Sequence, residues 1–113
     1  MLIMMLNGMT VMTFRSRKLL DLAHNMPCMA DFPHECYEHL GCDPAHSDSH
    51  IFGRGIGHKS NDFAFAAMCN NSHKMLDTFE REVKFMEWLR AYSKTQSYLW
   101  ENELIIVNKG KKL

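Results

Sequence analysis

Residues 63–73 read FAFAAMCNNSH, and the change of character inside this stretch decides how the chain folds. Phe63 to Met68 is a short apolar run of the kind a buried strand uses. It ends at Asn70, Asn71 and Ser72, residue types whose side chains cap helices. From His73 onward Leu76, Phe79, Val83, Met86 and Arg90 recur at steps of three and four, the spacing of one helical face. The stretch therefore predicts a buried strand that turns directly into a helix.

On the C-terminal side, a break near Thr78 divides the helical pattern into a short helix and a long one ending around residues 93–97, with Glu80 and Lys84 as an i,i+4 pair. Leu104 to Val107, between Asn102 and Gly110, predicts a terminal strand. On the N-terminal side, Ser16 predicts the cap of a short helix running to about His24 and stopped by Pro27. Residues 26–61 are rich in Pro, Gly, His, Cys and Asp and poor in long apolar runs, so a hydrophobic core cannot organise them unaided. The order is helix, irregular Cys/His region, strand, helix, helix, strand, which is an α+β domain.

A chain of 113 residues has room for one core. Residues 14–113 are expected to form that single domain. Residues 1–13, crowded with Met1, Met4, Met5, Met9 and Met12, are expected to be a disordered or upstream-start extension. The apolar opening is far shorter than a signal-peptide core or a membrane span and no basic residue precedes it, so the expectation is a cytoplasmic protein with no membrane partner. Thirteen Lys and Arg balance thirteen Asp and Glu, and zero net charge excludes a protein that coats nucleic acid by electrostatics alone. Local basic groups remain: Arg15, Arg17 and Lys18; Arg54 and Lys59; Lys109, Lys111 and Lys112.

The four cysteines are Cys28, Cys36, Cys42 and Cys69. With no mark of an oxidising compartment, metal ligation is a better default than disulfides. Cys28 and Cys36 form one pair, Cys69 and His73 a second, and tetrahedral zinc sites often join two such pairs from distant parts of a chain. The spacing also admits buried free thiols. The irregular region, which otherwise lacks a core, favours metal.

A second constellation is PAHSDSHIFGRGIGHKSND, residues 44–62. Gly53, Gly55 and Gly57 would let backbone approach a phosphate closely, and Arg54 and Lys59 supply cations beside them. Read alone, this is better described as a surface loop with solvated charges.

It does not stand alone. His46 precedes the loop, and the apolar run and CNNSH follow it, which is the outline of an HNH motif. The arrangement resembles the ββα-metal, or His-Me finger, nucleases, and more closely the small YbcO-like family of phage and prophage nucleases. Ala45-His46-Ser47, the glycines, Lys59, Asp62, Cys69, His73 and Asp77 follow in the family's order, and the resemblance covers about residues 15–100.

The resemblance implies a small ββα-metal domain with a Cys-rich knuckle, a short N-terminal helix and a long C-terminal helix. It implies a metal-dependent endonuclease hydrolysing DNA phosphodiester bonds in a bacterial host cell; self-association into a homodimer is left open. His46 would be the general base, since an imidazole can take a proton from water near neutral pH. His73 would ligate Mg²⁺ or a similar catalytic cation. Asp62, at the usual Asn position, would hold the loop or ligate a divalent ion. Arg54 and Lys59 would clamp phosphates. Cys28, Cys36, Cys69 and His73 are the candidate metal ligands, with structural zinc the ion that thiolates suit.

Where the family has a second knuckle cysteine this chain has Ser72, a poor zinc ligand. The fourth place is left to Cys42, to a water, or to nothing, and a weakened or incomplete site is expected because Cys42, on an extended segment with His46, should share its catalytic face. The alternative function is a zinc-stabilised module that binds nucleic acid or protein and has lost catalysis. Ser72, Asp62 and zero net charge favour it, whereas His46 with His73 favours the enzyme.

Overall fold

The structure, a computed structural model, describes residues 14–47 and 61–106. Helix α1, Arg17–Asp21, runs into a 3₁₀ turn at Leu22–Asn25; a second 3₁₀ turn, Glu38–Leu40, precedes strand β1, Cys42–His46. Strand β2, Phe65–Cys69, leads without a loop into α2, Asn70–Leu76, and α3 spans Arg81–Glu101. The result is a small α+β domain around a two-stranded antiparallel sheet.

The FAFAAM reading holds, with the strand shifted to begin at Phe65 and extend through Cys69. All five β2 residues are buried, because the strand is covered on more than one side. Cys42 pairs with Cys69 and His46 with Phe65, so the two ends of the hairpin are chemically distinct: cysteines at one, His46 at the other. Pro44 faces Ala67, whose own backbone groups turn outward. Ala67 N–H donates to Thr95 Oγ1 at 3.0 Å, and Ala67 O accepts from Met29 N–H at 2.9 Å. A proline without an N–H is tolerated at this place in the ladder.

α3 packs against β2, with Trp88, Ala91, Thr95 and Leu99 as its buried face. Trp88 Nε1 donates to Ala45 O at 2.8 Å, which couples α3 to β1 directly. Thr95 donates to Ala91 O at 2.8 Å while accepting from Ala67, so its buried hydroxyl is satisfied in both roles.

Ser16 caps α1 as predicted, its hydroxyl accepting Leu19 N–H at 3.1 Å. The expected break near Thr78 is present between α2 and α3. The cap of α2 is Cys69 and not Asn70, Asn71 or Ser72; its sulfur accepts Ser72 N–H. α3 outruns the predicted end at residues 93–97 because Thr95 and Leu99 still face the core. The predicted terminal strand is not formed at Leu104–Ile106. There Leu104 N–H closes on Leu99 O at 2.9 Å and Glu103 N–H on Trp100 O at 3.2 Å, a Schellman ending that consumes the segment. Val107 and the expected extension, residues 1–13, lie outside the described residues.

Candidate metal centre and catalytic residues

The ligand-bearing loop between α1 and β1 is fixed before any ion is considered. Met29 is anchored to β2 through Ala67, Cys28 N–H donates to Glu38 Oε1 at 2.8 Å, and Asn71 Nδ2 donates to Glu35 O at 2.8 Å. Phe32 packs edge-on against Phe79 at 4.9 Å. Lys94 pairs with Asp31. These ties bring Cys28, His34 and Cys36 up to the β2–α2 junction, where Cys69 waits.

One ligand atom from each of Cys28, His34, Cys36 and Cys69 lies within 4.8 Å of the other three, a group that can hold a metal ion such as zinc. Three of the four expected ligands are in it; His34 stands where His73 was expected. His73, the fourth residue of α2, turns instead toward β1, with Nδ1 3.5 Å from Asp43 Oδ2. The signal for His34 was available in Cys28-x₅-His34-x-Cys36, three metal-type side chains within one short loop.

Ser72 is fully buried beside the thiols, its Oγ 3.3 Å from Cys69 Sγ and 3.4 Å from Cys28 Sγ. It also donates to Cys69 O at 3.1 Å, and its single proton serves one acceptor at a time. Backbone N–H groups point at the sulfurs: Cys69 N–H to Cys28 Sγ at 3.3 Å and Ser72 N–H to Cys69 Sγ at 3.4 Å.

Cys42 was expected to face away from the knuckle, toward His46. The structure corrects this: although the two share strand parity, Cys42 sits at the opposite end of β1, paired with Cys69, and its thiol donates to Cys28. That contact is the main reason the Cys28 thiol is held down at about 3; burial opposes it, and the Ser72 hydroxyl and the Cys69 N–H reinforce it. The same contact, with burial, drives the Cys42 thiol far upward. Burial also works against a Cys69 thiolate, yet hydrogen bonds from Ser72 and from backbone bring it below the ordinary thiol range. Burial, joined by the charge of Cys28 and Cys69, pushes Cys36 up to about 11. Burial opposes a charged His34, but the Phe32 carbonyl and the Cys28 thiolate raise it. These shifts describe a pocket of negative charge suited to a cation.

At the other end of the hairpin, His46 Nε2 is buried 3.3 Å from Asp62 Oδ1 but off hydrogen-bonding geometry, and has no hydrogen-bond partner among the described residues. Asp62 is itself fixed, accepting Ser16 N–H at 2.6 Å and lying 3.4 Å from Arg15 Nη1. His46 and Asp62 thus come together, while His73 pairs with Asp43. The three do not form one ligand cluster among the described residues. Arg54 and Lys59, the expected phosphate clamps, lie outside the described residues. No helix among those residues is long and apolar enough to cross a membrane.

No family model, curated protein or solved structure matches the chain. The functional reading rests on its own residues.

Proposed function

We propose that this protein is a metal-dependent DNA endonuclease of the HNH, ββα-metal type. The observation that carries the reading is the run β1–β2–α2, with His46 ending the first strand, Asp62 against its ring, and His73 on the helix that follows the second strand without a loop. That order of elements and side chains is the one the sequence resemblance implies, and the Cys/His group below it supports a metal-braced knuckle.

In this reading His46 removes a proton from a water that attacks the phosphodiester phosphorus. The Asp62 carboxylate, 3.3 Å from the buried Nε2, stabilises the imidazolium that results. Asp62 also fixes the strand end against the start of α1, so the base does not drift. His73, with the half-exposed Asp43 carboxylate beside it, would hold the divalent cation, which supplies positive charge to the scissile phosphate and the departing oxygen. Arg54 and Lys59 bind neighbouring phosphates and place the strand without reading its sequence.

A second reading has one observation in its favour. His46 and His73 are each turned to a different carboxylate, Asp62 and Asp43, as they would be in a zinc-stabilised binding module that has lost catalysis. Plasmid nicking separates the two. Protein freed of loosely held metal and then given Mg²⁺ or Mn²⁺ nicks supercoiled DNA if the first reading holds; DNA binding without nicking under every added metal supports the second.

A further inference from the structure

We infer that Cys28, His34, Cys36 and Cys69 form a closed structural zinc centre of three thiolates and one imidazole, with Cys42 outside the ligand set as a thiol donor to Cys28. The inference is independent of the nuclease reading, since it concerns a different end of the hairpin.

Distance is the first argument. Zinc bonds of about 2.3 Å to sulfur and about 2.0–2.1 Å to nitrogen, opened to tetrahedral angles, place a sulfur and a nitrogen ligand about 3.6 Å apart. Cys28 Sγ and His34 Nε2 are 3.6 Å apart, one edge of that tetrahedron, and all four donors fall within 4.8 Å of one another.

The second argument is the state of the imidazole. His34 Nδ1 lies 2.7 Å from Phe32 O, and a carbonyl can only accept, so Nδ1 carries a proton and Nε2 is the nitrogen that faces the sulfurs. Zinc-binding histidines are oriented in this way, through a hydrogen bond from the nitrogen that does not bind metal. Phe32 also holds the ring laterally, with centroids 5.4 Å apart.

The third is what surrounds the sulfurs. Three thiolates on a divalent ion leave one net negative charge, with Cys69 buried, Cys28 and His34 partly buried and Cys36 exposed. The Cys69 and Ser72 N–H groups, the Ser72 hydroxyl and the Cys42 thiol all stand ready to donate to Cys28 or Cys69. Ser72 therefore acts through its hydrogen bonds and is not a ligand, which resolves the vacancy that its presence in the knuckle created. Cys42 touches Cys28 but is not a member of the mutually close group.

A site with four protein ligands keeps no open position, so this ion braces the fold and takes no part in hydrolysis. Three of its ligands come from the irregular loop and one from the β2–α2 junction, so it ties the segment that has no core of its own to the element pair that has one.

The test uses the full chain, with zinc measured by elemental analysis and Co²⁺ substituted as a spectroscopic probe. Wild type is expected to hold one zinc per chain and to give a tetrahedral Co²⁺ spectrum with the sulfur-to-cobalt charge transfer of three thiolates. Cys42→Ser should keep both the stoichiometry and that intensity. His34→Ala should weaken zinc binding by roughly a hundredfold. His34→Cys, which guards against simple misfolding of the alanine variant, should retain zinc and raise the charge-transfer intensity to that of four thiolates. Zinc lost in Cys42→Ser, a three-thiolate intensity unchanged in His34→Cys, or wild type without stoichiometric zinc would each overturn the assignment.

Discussion

Asp62 links the end of β1 to the start of α1: one oxygen lies 3.3 Å from His46 Nε2 and the other accepts the Ser16 backbone N–H at 2.6 Å. The carboxylate is largely buried, so the hydrogen bond it accepts is of the stronger, charge-assisted kind. Asp62→Ala should lower the unfolding free energy by about 2 kcal/mol, the net worth of such a bond. Asp62→Asn should cost less, because an amide oxygen still accepts from Ser16. Denaturant titration of the three proteins checks both statements, and equal midpoints would show that Asp62 does not secure the N-terminal segment.

Trp88 ties α3 to β1 through a buried hydrogen bond to Ala45 O. Trp88→Phe removes the donor, leaves Ala45 O with its ladder bond to Ala66 alone and opens space beside it, so a loss of about 1–3 kcal/mol is expected. The measurement is thermal or denaturant unfolding. A loss under half a kilocalorie would mean the indole N–H is dispensable.

Glu103 ends α3 with φ of 56°, the left-handed conformation that costs a side-chain-bearing residue about 1 kcal/mol relative to glycine. Glu103→Gly should therefore stabilise the protein by about that amount while keeping the Schellman hydrogen bonds. A destabilised variant would show that Glu103 contributes through its side chain.

The pH dependence of the metal centre has a definite sign. Protons compete with zinc for thiolates, so the stabilisation zinc gives is present near neutral pH and lost in acid. Without zinc, Cys28 acts in the same direction: its folded value of about 3 lies below the ordinary 9.0, so its contribution is complete above 9 and fades as pH falls toward 3. The difference in melting temperature between zinc-loaded and chelated protein should shrink as pH is lowered from neutrality toward about 5. A difference independent of pH would contradict thiolate ligation.

Much of this architecture was legible in the sequence because it follows from local chemistry. The Ser16 cap, the buried run before Cys69 and the break near Thr78 each depend on a few neighbouring residues. What escaped depended on pairing across the chain. β1 lies in a Pro- and His-rich segment whose composition reads as a loop, so the resemblance alone pointed to an extended segment at His46, and it is the pairing with β2 that makes Cys42–His46 a strand. That pairing also decides which end of β1 each side chain serves, which is why Cys42 meets Cys28 and not His46. His34 escaped because its role comes from a loop held by Glu38 and Asn71, contacts with no periodic signature. The terminal strand failed for want of a partner, since helix closure on Leu99 uses the Leu104 N–H first.

The role proposed for His46 is to activate water for cleavage of DNA. Its most direct measurement is nicking of supercoiled plasmid by wild type and His46→Ala, each with Mg²⁺ or Mn²⁺ added back, alongside matched zinc content and melting temperature. Metal-dependent nicking by wild type is expected, with a loss of roughly a hundredfold or more in a folded, zinc-bearing His46→Ala protein. Undiminished nicking by that variant, or none by wild type under any metal, would contradict it.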